Sequence, residues 1–358
     1  MTKTQNNTLL FTLEYPPFRG GVANVYGNVV KYWPNPSIRV LAGKNLCRPH
    51  WLFSFWSLCR AVKKYQIHSV LVGHLLPLGT VTYLFSHFKN IDYTVFLHGM
   101  DIALAVKVSR KKRLAKKILT NAKHIIALNS YVPKVLQKEF GNAFAGKVMV
   151  VNPGVSRITN AELRIKNKLV KNYNLKSKMI LLQVGRLAKR KGVDKVLETL
   201  SDVLKECKNL IYVVVGQGSA ISSIQYLISK YKLKKNVVLI TNADDDEVNA
   251  WYELCDIFIM PARYIDGDVE GFGIVYLEAN ARGKPVIAGD SGGVRDAVKP
   301  DLNGLLVNPE STTEIRDAII KLCQDEFLRR RLGQQGREWV KNFDWQKQVE
   351  KIFALLHC

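Results

Sequence analysis

Short apolar runs rich in β-branched residues recur along the chain, and after each one apolar positions return every three or four residues. The runs fit strands buried on both faces, and the periodic stretches fit helices that cover them. Leu9–Leu13, Ile38–Ala42, Val70–Val72, Tyr93–Leu97, His124–Leu128 and Val148–Val151 form one set of six. Met179–Val184, Leu210–Val215, Val237–Ile240, Ile257–Met260, Pro285–Ala288 and Gly304–Val307 form a second. Strands alternating with helices predict an α/β protein with parallel sheets, and two such sets predict two doubly wound, Rossmann-like domains. The first is expected over residues 1–160 and the second over 175–339. Arg157–Lys178 between them is polar and basic without an apolar stripe, and reads as a linker. Open parallel sheets bind ligands beyond the carboxyl ends of their strands. Reactive residues are therefore expected just after strands, around a cleft between the two domains.

Composition narrows the class. Of 358 residues 47% are apolar and 23% charged, which excludes a disordered polyelectrolyte. The net charge of +23 is unevenly spread: residues 1–160 hold 22 Lys and Arg against 4 Asp and Glu, the remainder 31 against 26. A basic first half predicts an anionic partner, either a membrane surface or a nucleic acid. The six cysteines show neither a CxxC pair nor zinc-finger spacing, as expected of reduced cytosolic thiols. MTKTQNN runs straight into a short apolar stretch without the h-region of a secretory signal. The longest apolar tract, Val70 to Phe88, is broken by His74, Pro77, Gly79 and His87, so neither export nor a membrane span is expected.

Three strand-to-helix turns carry candidate chemistry. In PPFRGGV, Arg19, Gly20 and Gly21 lead into a helix whose first amides favour an anion that adjacent glycines let approach closely. This is neither a GxGxxG fingerprint nor a P-loop. In QVGRLAKRKG, Gly185, Arg186, Lys191 and Gly192 follow a strand, and two fixed cations there can neutralise a diphosphate leaving group. In EGFGIVYLE, Glu270 precedes Gly271, Phe272 and Gly273, and the following helix carries Ile274, Val275 and Glu278. With a helix start near Phe272, Ile274 and Glu278 share a face about 6 Å apart along the axis. That suits a diphosphate on the helix amides and a ribose on Glu278.

The Glu270 and Glu278 pair with seven residues between, the GRLAKRKG loop, PPFRGGV, LHGMD and VNPGV together resemble the GT-B-fold, family 4, retaining glycosyltransferases over nearly the whole chain. The DVEGFGIVYLEANARGKPVIAGDSGG run is most similar to the phosphatidylinositol mannosyltransferases that use GDP-mannose. The resemblance implies that Glu270 binds donor-sugar hydroxyls and Glu278 the ribose. It gives Arg186 and Lys191 the departing diphosphate, with amides from Gly273 to Val275 and Gly21 assisting, counts Gly185, Gly271, Phe272 and Ile274 among the residues that bind the nucleotide-sugar, and places His98 near the sugar. Arg19, Gly20 and Asn24 fall on the acceptor side, and the resemblance also implies a C-terminal helix at about 340–358 that packs back onto the first domain. No enzyme nucleophile stands out. On the resemblance the diphosphate helps deprotonate the acceptor on the same face of the sugar, and the protein supplies positioning and charge. No cofactor or metal is implied. Asp244-Asp245-Asp246-Glu247 looks like a metal-binding DxD, but it precedes Val248, Trp251 and Leu254 at helical spacing and reads as an N-terminal cap. Ser156 stands where the family commonly has Asp, which puts any role for that loop in doubt. Other expectations are a UDP-sugar donor, a sugar-nucleotide epimerase of similar architecture, and a basic nucleic-acid-binding protein. The last gives no reason for two glutamates among glycines, so no nucleic acid partner is expected.

An anionic membrane surface is the expected partner of the basic half. Lys107, Arg110, Lys111, Lys112, Arg113, Lys116, Lys117 and Lys123 surround a narrow stripe of Leu114, Ala115, Ile118 and Leu119, as in an amphipathic surface helix. Each basic residue near anionic lipid contributes about 1 kcal/mol. Upstream, Trp51, Phe53, Phe55 and Trp56 alongside Arg60, Lys63 and Lys64 suit a core helix better than an interfacial one. The expectation is a cytoplasmic enzyme held peripherally at the inner membrane face, acting on a lipid-linked or glycan acceptor.

Overall fold

The runs of buried, β-branched residues are strands because only a parallel sheet covered on both faces leaves no polar side for them. In the computed structural model, which describes residues 7–18, 20–43, 46, 50–155 and 161–357 (50–52 by backbone only), all twelve form. They are β1 (Asn7–Thr12), β2 (Ile38–Ala42), β3 (Ile67–Val72), β4 (Asp92–Leu97), β5 (His124–Ala127) and β6 (Val148–Val150) in one sheet. β7 (Met179–Val184), β8 (Leu210–Val215), β9 (Val237–Ile240), β10 (Ile257–Met260), β11 (Val286–Gly289) and β12 (Gly304–Val307) make the other. The first sheet has the order β2-β1-β3-β4-β5-β6 and the second β12-β11-β10-β7-β8-β9, with every pair parallel. Register in the first centre aligns Leu9 with Arg39 on one side and Val70 on the other. All six residues of β8 and all four of β10 are buried.

The strand order reverses between β1 and β3 in one sheet and between β7 and β10 in the other. At such switch points the loops leaving neighbouring strands diverge and open a crevice at the carboxyl ends. The loops after β1 and β3, and those after β7 and β10, are thereby marked before any side chain is considered.

The chain divides into two units, one reaching Gly154 and resuming at Phe343, the other spanning Val155–Asn342. Each has its own core. Phe11, Val70, Val95 and Ile125 meet Leu58, Phe85 and Ile118 in the first; Leu181, Tyr212 and Ile259 meet Val196, Leu200 and Ile319 in the second. The C-terminal helix Trp345–His357 joins the first unit, where Phe353 lies edge-on to Trp33 at 5.5 Å.

The linker expectation needs correction. Residues 156–160 lie outside those described, but Leu163–Asn172 is a helix of the second unit. Only Leu169 is buried in it, so it leaves little apolar periodicity. It is held instead by Glu253, which accepts from the Ala161 amide at 2.6 Å and pairs with Lys166 at 2.7 Å. No helix among the described residues is long and apolar enough to cross a membrane. Cys59, Cys207, Cys255 and Cys323 are free thiols; Cys47 and Cys358 lie outside the described residues.

Candidate active site

In the second unit, the loop after β7 closes on the loop after β10. Gly192 has φ +76 and caps the helix Val193–Glu206; a Cβ there would lie 2.3 Å from the Pro261 carbonyl oxygen, so only glycine allows this approach. The Arg263 amide donates to the Arg190 carbonyl at 2.8 Å, and the buried Arg263 guanidinium grips Asp194 through two bonds of 2.9 and 2.6 Å. Gln183, buried on β7, donates to the Lys191 carbonyl at 2.8 Å and accepts from Tyr212 at 2.5 Å.

The result is a compact charge cluster. Lys191 Nζ lies 2.5 Å and Arg190 Nη1 2.6 Å from the same Glu270 oxygen, and Arg190 Nε is 2.8 Å from Asp268. Lys191 and Glu270 are 9% and 8% exposed, so these charges interact in a medium of much lower polarity than water. Burial alone would raise the Glu270 pKa, but the Lys191 and Arg190 cations override it and hold the carboxyl down at about 2. Burial pushes the Lys191 ammonium down against the pull of Glu270, and Arg190 and Arg186 add to the lowering. Arg186 is exposed at the head of this loop, after Gly185. The Gly293 amide donates to the Glu270 carbonyl at 3.0 Å, which fixes the backbone as well as the carboxylate.

Behind Glu270, Gly271 is half-buried, Phe272 is 5% exposed and Gly273 takes φ +83 as N-cap of the helix Ile274–Ala281. The helix starts two residues after the expected Phe272, with Ile274 and Val275 half-buried in its first turn. One turn on, Glu278 accepts from the Tyr252 hydroxyl at 2.8 Å. Burial raises the Glu278 pKa, opposed by that hydrogen bond and by Arg282. Arg282 sits over the Tyr252 ring at 5.1 Å and donates to the Glu278 carbonyl, completing the support. The expected acidic cap also forms: Asp244 accepts from the Glu247 amide at 2.8 Å at the start of Asp245–Leu254.

The first unit gathers different residues at its own strand ends. Gly20 is the N-cap of the helix Gly21–Lys31. Gly21 and Asn24 are exposed in its first turn, and the Asn24 side chain accepts from Asn28 at 2.6 Å. Arg19 lies outside the described residues, as does Ser156. His98 follows β4 with its backbone tied at both ends: its amide donates to Asp101 at 3.1 Å and its carbonyl accepts from Asn129 at 2.9 Å. Its ring meets the Tyr26 hydroxyl at 2.6 Å and stands 6.4 Å from the His74 ring. Sequence reasoning missed Arg190, Tyr252, Tyr26 and His74. Arg190 stood inside the quoted QVGRLAKRKG, where nothing local distinguishes it from its neighbour Lys189, and His74 stood out only as a break in an apolar tract.

The basic helix Ser109–Asn121 forms, with one correction. Ala115, Ile118 and Leu119 are buried in the core, so the apolar stripe faces inward and has nothing to insert into lipid. Arg110, Lys111, Arg113, Lys116 and Lys117 are exposed, whereas Lys112 pairs with Glu139 at 2.7 Å. The upstream helix His50–Tyr65 buries Leu58 and Ala61 as a core helix does, yet leaves Phe53 and Trp56 outside.

Two doubly wound parallel sheets are the architecture of the GT-B fold. Two solved structures share the fold: Anabaena HepE in complex with UDP (TM-score 0.81, 16% identity, 98% of this chain and 99% of that one) and sucrose-phosphate synthase from Thermosynechococcus elongatus (TM-score 0.80, 20% identity, 98% of each). Residues 165–339 match the family described as Glycosyl transferases group 1. The GDP-mannose-dependent alpha-(1-6)-phosphatidylinositol monomannoside mannosyltransferase of Mycobacterium tuberculosis is 32% identical over 309 residues, 83% of this chain and 77% of that protein. An uncharacterised glycosyltransferase of Methanocaldococcus jannaschii is 28% identical over 357 residues, 94% of this chain and 93% of that one. The chain belongs to the group 1 glycosyltransferases.

Proposed function

We propose that this glycosyltransferase moves an α-mannosyl group from GDP-mannose, with retention and without a metal or other cofactor, to a lipid-linked or glycan acceptor at an anionic membrane surface. The observation that carries the reading is the shared contact of Lys191 and Arg190 with Glu270, set beside the helix start at Gly273. Glu270 stays ionised and keeps further lone pairs for sugar hydroxyls. Lys191 and Arg186 take the charge that grows on the departing diphosphate, with amides of Gly273–Val275 assisting, so that protein cations do the work a metal ion does elsewhere. Glu278, oriented by Tyr252, takes the ribose. To His98 the reading gives a hydrogen bond with a substrate hydroxyl, and to Gly20, Asn24 and Arg19 the acceptor. The mannosyl donor is supported by the Mycobacterium tuberculosis relative, whose name specifies GDP-mannose.

Calorimetry with GDP, UDP and ADP, followed by turnover of their sugar conjugates with and without a chelator, tests the reading. GDP is expected to bind most tightly and GDP-mannose to turn over equally well with chelator. Preferential UDP binding would transfer the proposal to a UDP-sugar, and loss of turnover with chelator would remove the metal-free mechanism.

A further inference from the structure

Tyr26 and His98 share a contact whose protons can be counted. Tyr26 comes from the helix Gly21–Lys31 and is wholly buried, edge-on to Phe96 at 5.4 Å and to His98 at 5.5 Å. Its hydroxyl oxygen lies 2.5 Å from the Gly73 carbonyl oxygen and 2.6 Å from His98 Nε2. A carbonyl only accepts, and two oxygens that close would repel without a proton between them, so the phenol donates to Gly73. It has no second proton. Toward His98 it can only accept, and Nε2 must be the donor.

We propose that Tyr26 sets the tautomer of His98, with the proton on Nε2 and a lone pair at Nδ1, and so makes this histidine an acceptor for a substrate hydroxyl rather than an acid.

The surroundings agree. The titratable groups facing His98 are Tyr26, His74, Glu14 and, through the backbone amide, Asp101. Burial, reinforced by His74, lowers the His98 pKa to about 3 against the opposing pull of Glu14 and the Gly73 carbonyl. The ring is therefore neutral at physiological pH and its one proton is already committed. Burial drives the Tyr26 pKa well above the ordinary value, so the phenol keeps the proton it donates. Gly73 allows the phenol so close: a Cβ there would lie 3.0 Å from the Tyr26 ring and 2.7 Å from Thr12 Oγ1. Tyr26 is thus a positioning residue, acting through His98.

The role of His98 toward substrate rests on the transferase reading; its tautomer does not. Nuclear magnetic resonance of the full-length protein labelled with 15N-histidine separates the two, with His98 identified by its loss in His98→Gln. The expected signature is a bare Nδ1 and a protonated Nε2 that do not titrate between pH 5 and 9. In Tyr26→Phe, which keeps the ring, the His98 signals are expected to shift toward mixed tautomers. With GDP-mannose as donor, kcat is expected to fall about 10- to 100-fold while KM stays within about twofold, the scale of losing a histidine's orienting partner. A wild-type His98 protonated on Nδ1, an imidazolium at pH 7, or a Tyr26→Phe spectrum matching wild type would each overturn the proposal. Inactivity toward GDP-mannose with the expected spectra would count against the donor alone.

Discussion

Glu270 couples stability to the chemistry proposed for it. Its carboxyl titrates near 2 in the folded protein against an ordinary 4.5. Between those values the unfolded chain binds a proton that the folded chain does not. The stabilisation is therefore complete above about pH 4.5 and is lost as pH falls toward 2. Denaturant unfolding at stepped pH is expected to show this loss in wild type and to show less of it in Glu270→Gln. At neutral pH Glu270→Gln leaves two buried cations under-compensated, a change of about 3–5 kcal/mol in comparable buried pairs. Its turnover is expected to fall at least about 100-fold; near-normal turnover would remove Glu270 from the site. The sequence singled out Glu270 and Lys191 as candidates because both fall in glycine-containing loops that follow strands, and the structure brings the two together. It did not disclose Arg190, Tyr252 or Tyr26. Tyr26 meets His98 72 positions away and Tyr252 meets Glu278 26 positions away. Contacts of that range leave no periodicity to read.

At the scale of elements, strands were the legible part because a parallel sheet buried on both faces writes itself as unbroken apolar runs, as β8 and β10 do. The helix Leu163–Asn172 was not legible, since its attachment is an ion pair and an amide bond to Glu253 rather than an apolar face. Helix starts separate structure from function in a testable way. Asp244→Ala removes an ordinary cap and is expected to cost about 1 kcal/mol while leaving nucleotide affinity unchanged. Gly273→Ala is different. The new Cβ would fall 2.4 Å from the Tyr276 ring at φ +83, and Tyr276 is itself anchored to the Met260 carbonyl at 2.7 Å. The backbone strain alone is about 1–3 kcal/mol, and relief requires the first turn to move. Thermal unfolding and GDP calorimetry are expected to show Gly273→Ala weakened in both and Asp244→Ala in the first only. Equal nucleotide affinity in both variants would detach the helix start from donor binding.

For the whole molecule, the uneven charge and the uneven distribution of exposed large apolar side chains coincide. Residues 1–160 hold 22 basic side chains against 4 acidic ones, and Phe53, Trp56, Leu84 and Phe88, 44 to 74% exposed, lie in the same unit. Phe55 joins Trp56 at 6.3 Å to Phe88 at 6.1 Å, so the helices His50–Tyr65 and Leu78–Phe88 present one aromatic ridge rather than scattered rings. Neither helix carries an acidic residue, and Arg60, Lys63, Lys64 and Lys89 are exposed beside the ridge. The basic helix Ser109–Asn121 has turned its apolar stripe inward and can offer lipid only charge, which salt screens beyond about 8 Å at physiological ionic strength. Peripheral attachment would then divide into two parts with different signatures. Arg110, Lys111, Arg113, Lys116 and Lys117 would supply a salt-sensitive attraction to anionic lipid, and Trp56 and Phe88 a salt-resistant insertion of aromatic area. In sedimentation with vesicles of anionic and neutral phospholipid, wild type is expected to prefer the anionic vesicles and to be partly released by salt. Charge reversal at Arg110, Lys111 and Arg113 is expected to abolish the preference for anionic lipid, whereas Trp56→Ser with Phe88→Ser should remove the fraction that salt does not release. Both variants are exposed-surface changes and should unfold at the wild-type temperature. Equal sedimentation of wild type with both vesicle types would dismiss the membrane as a partner and leave the basic surface to solubility.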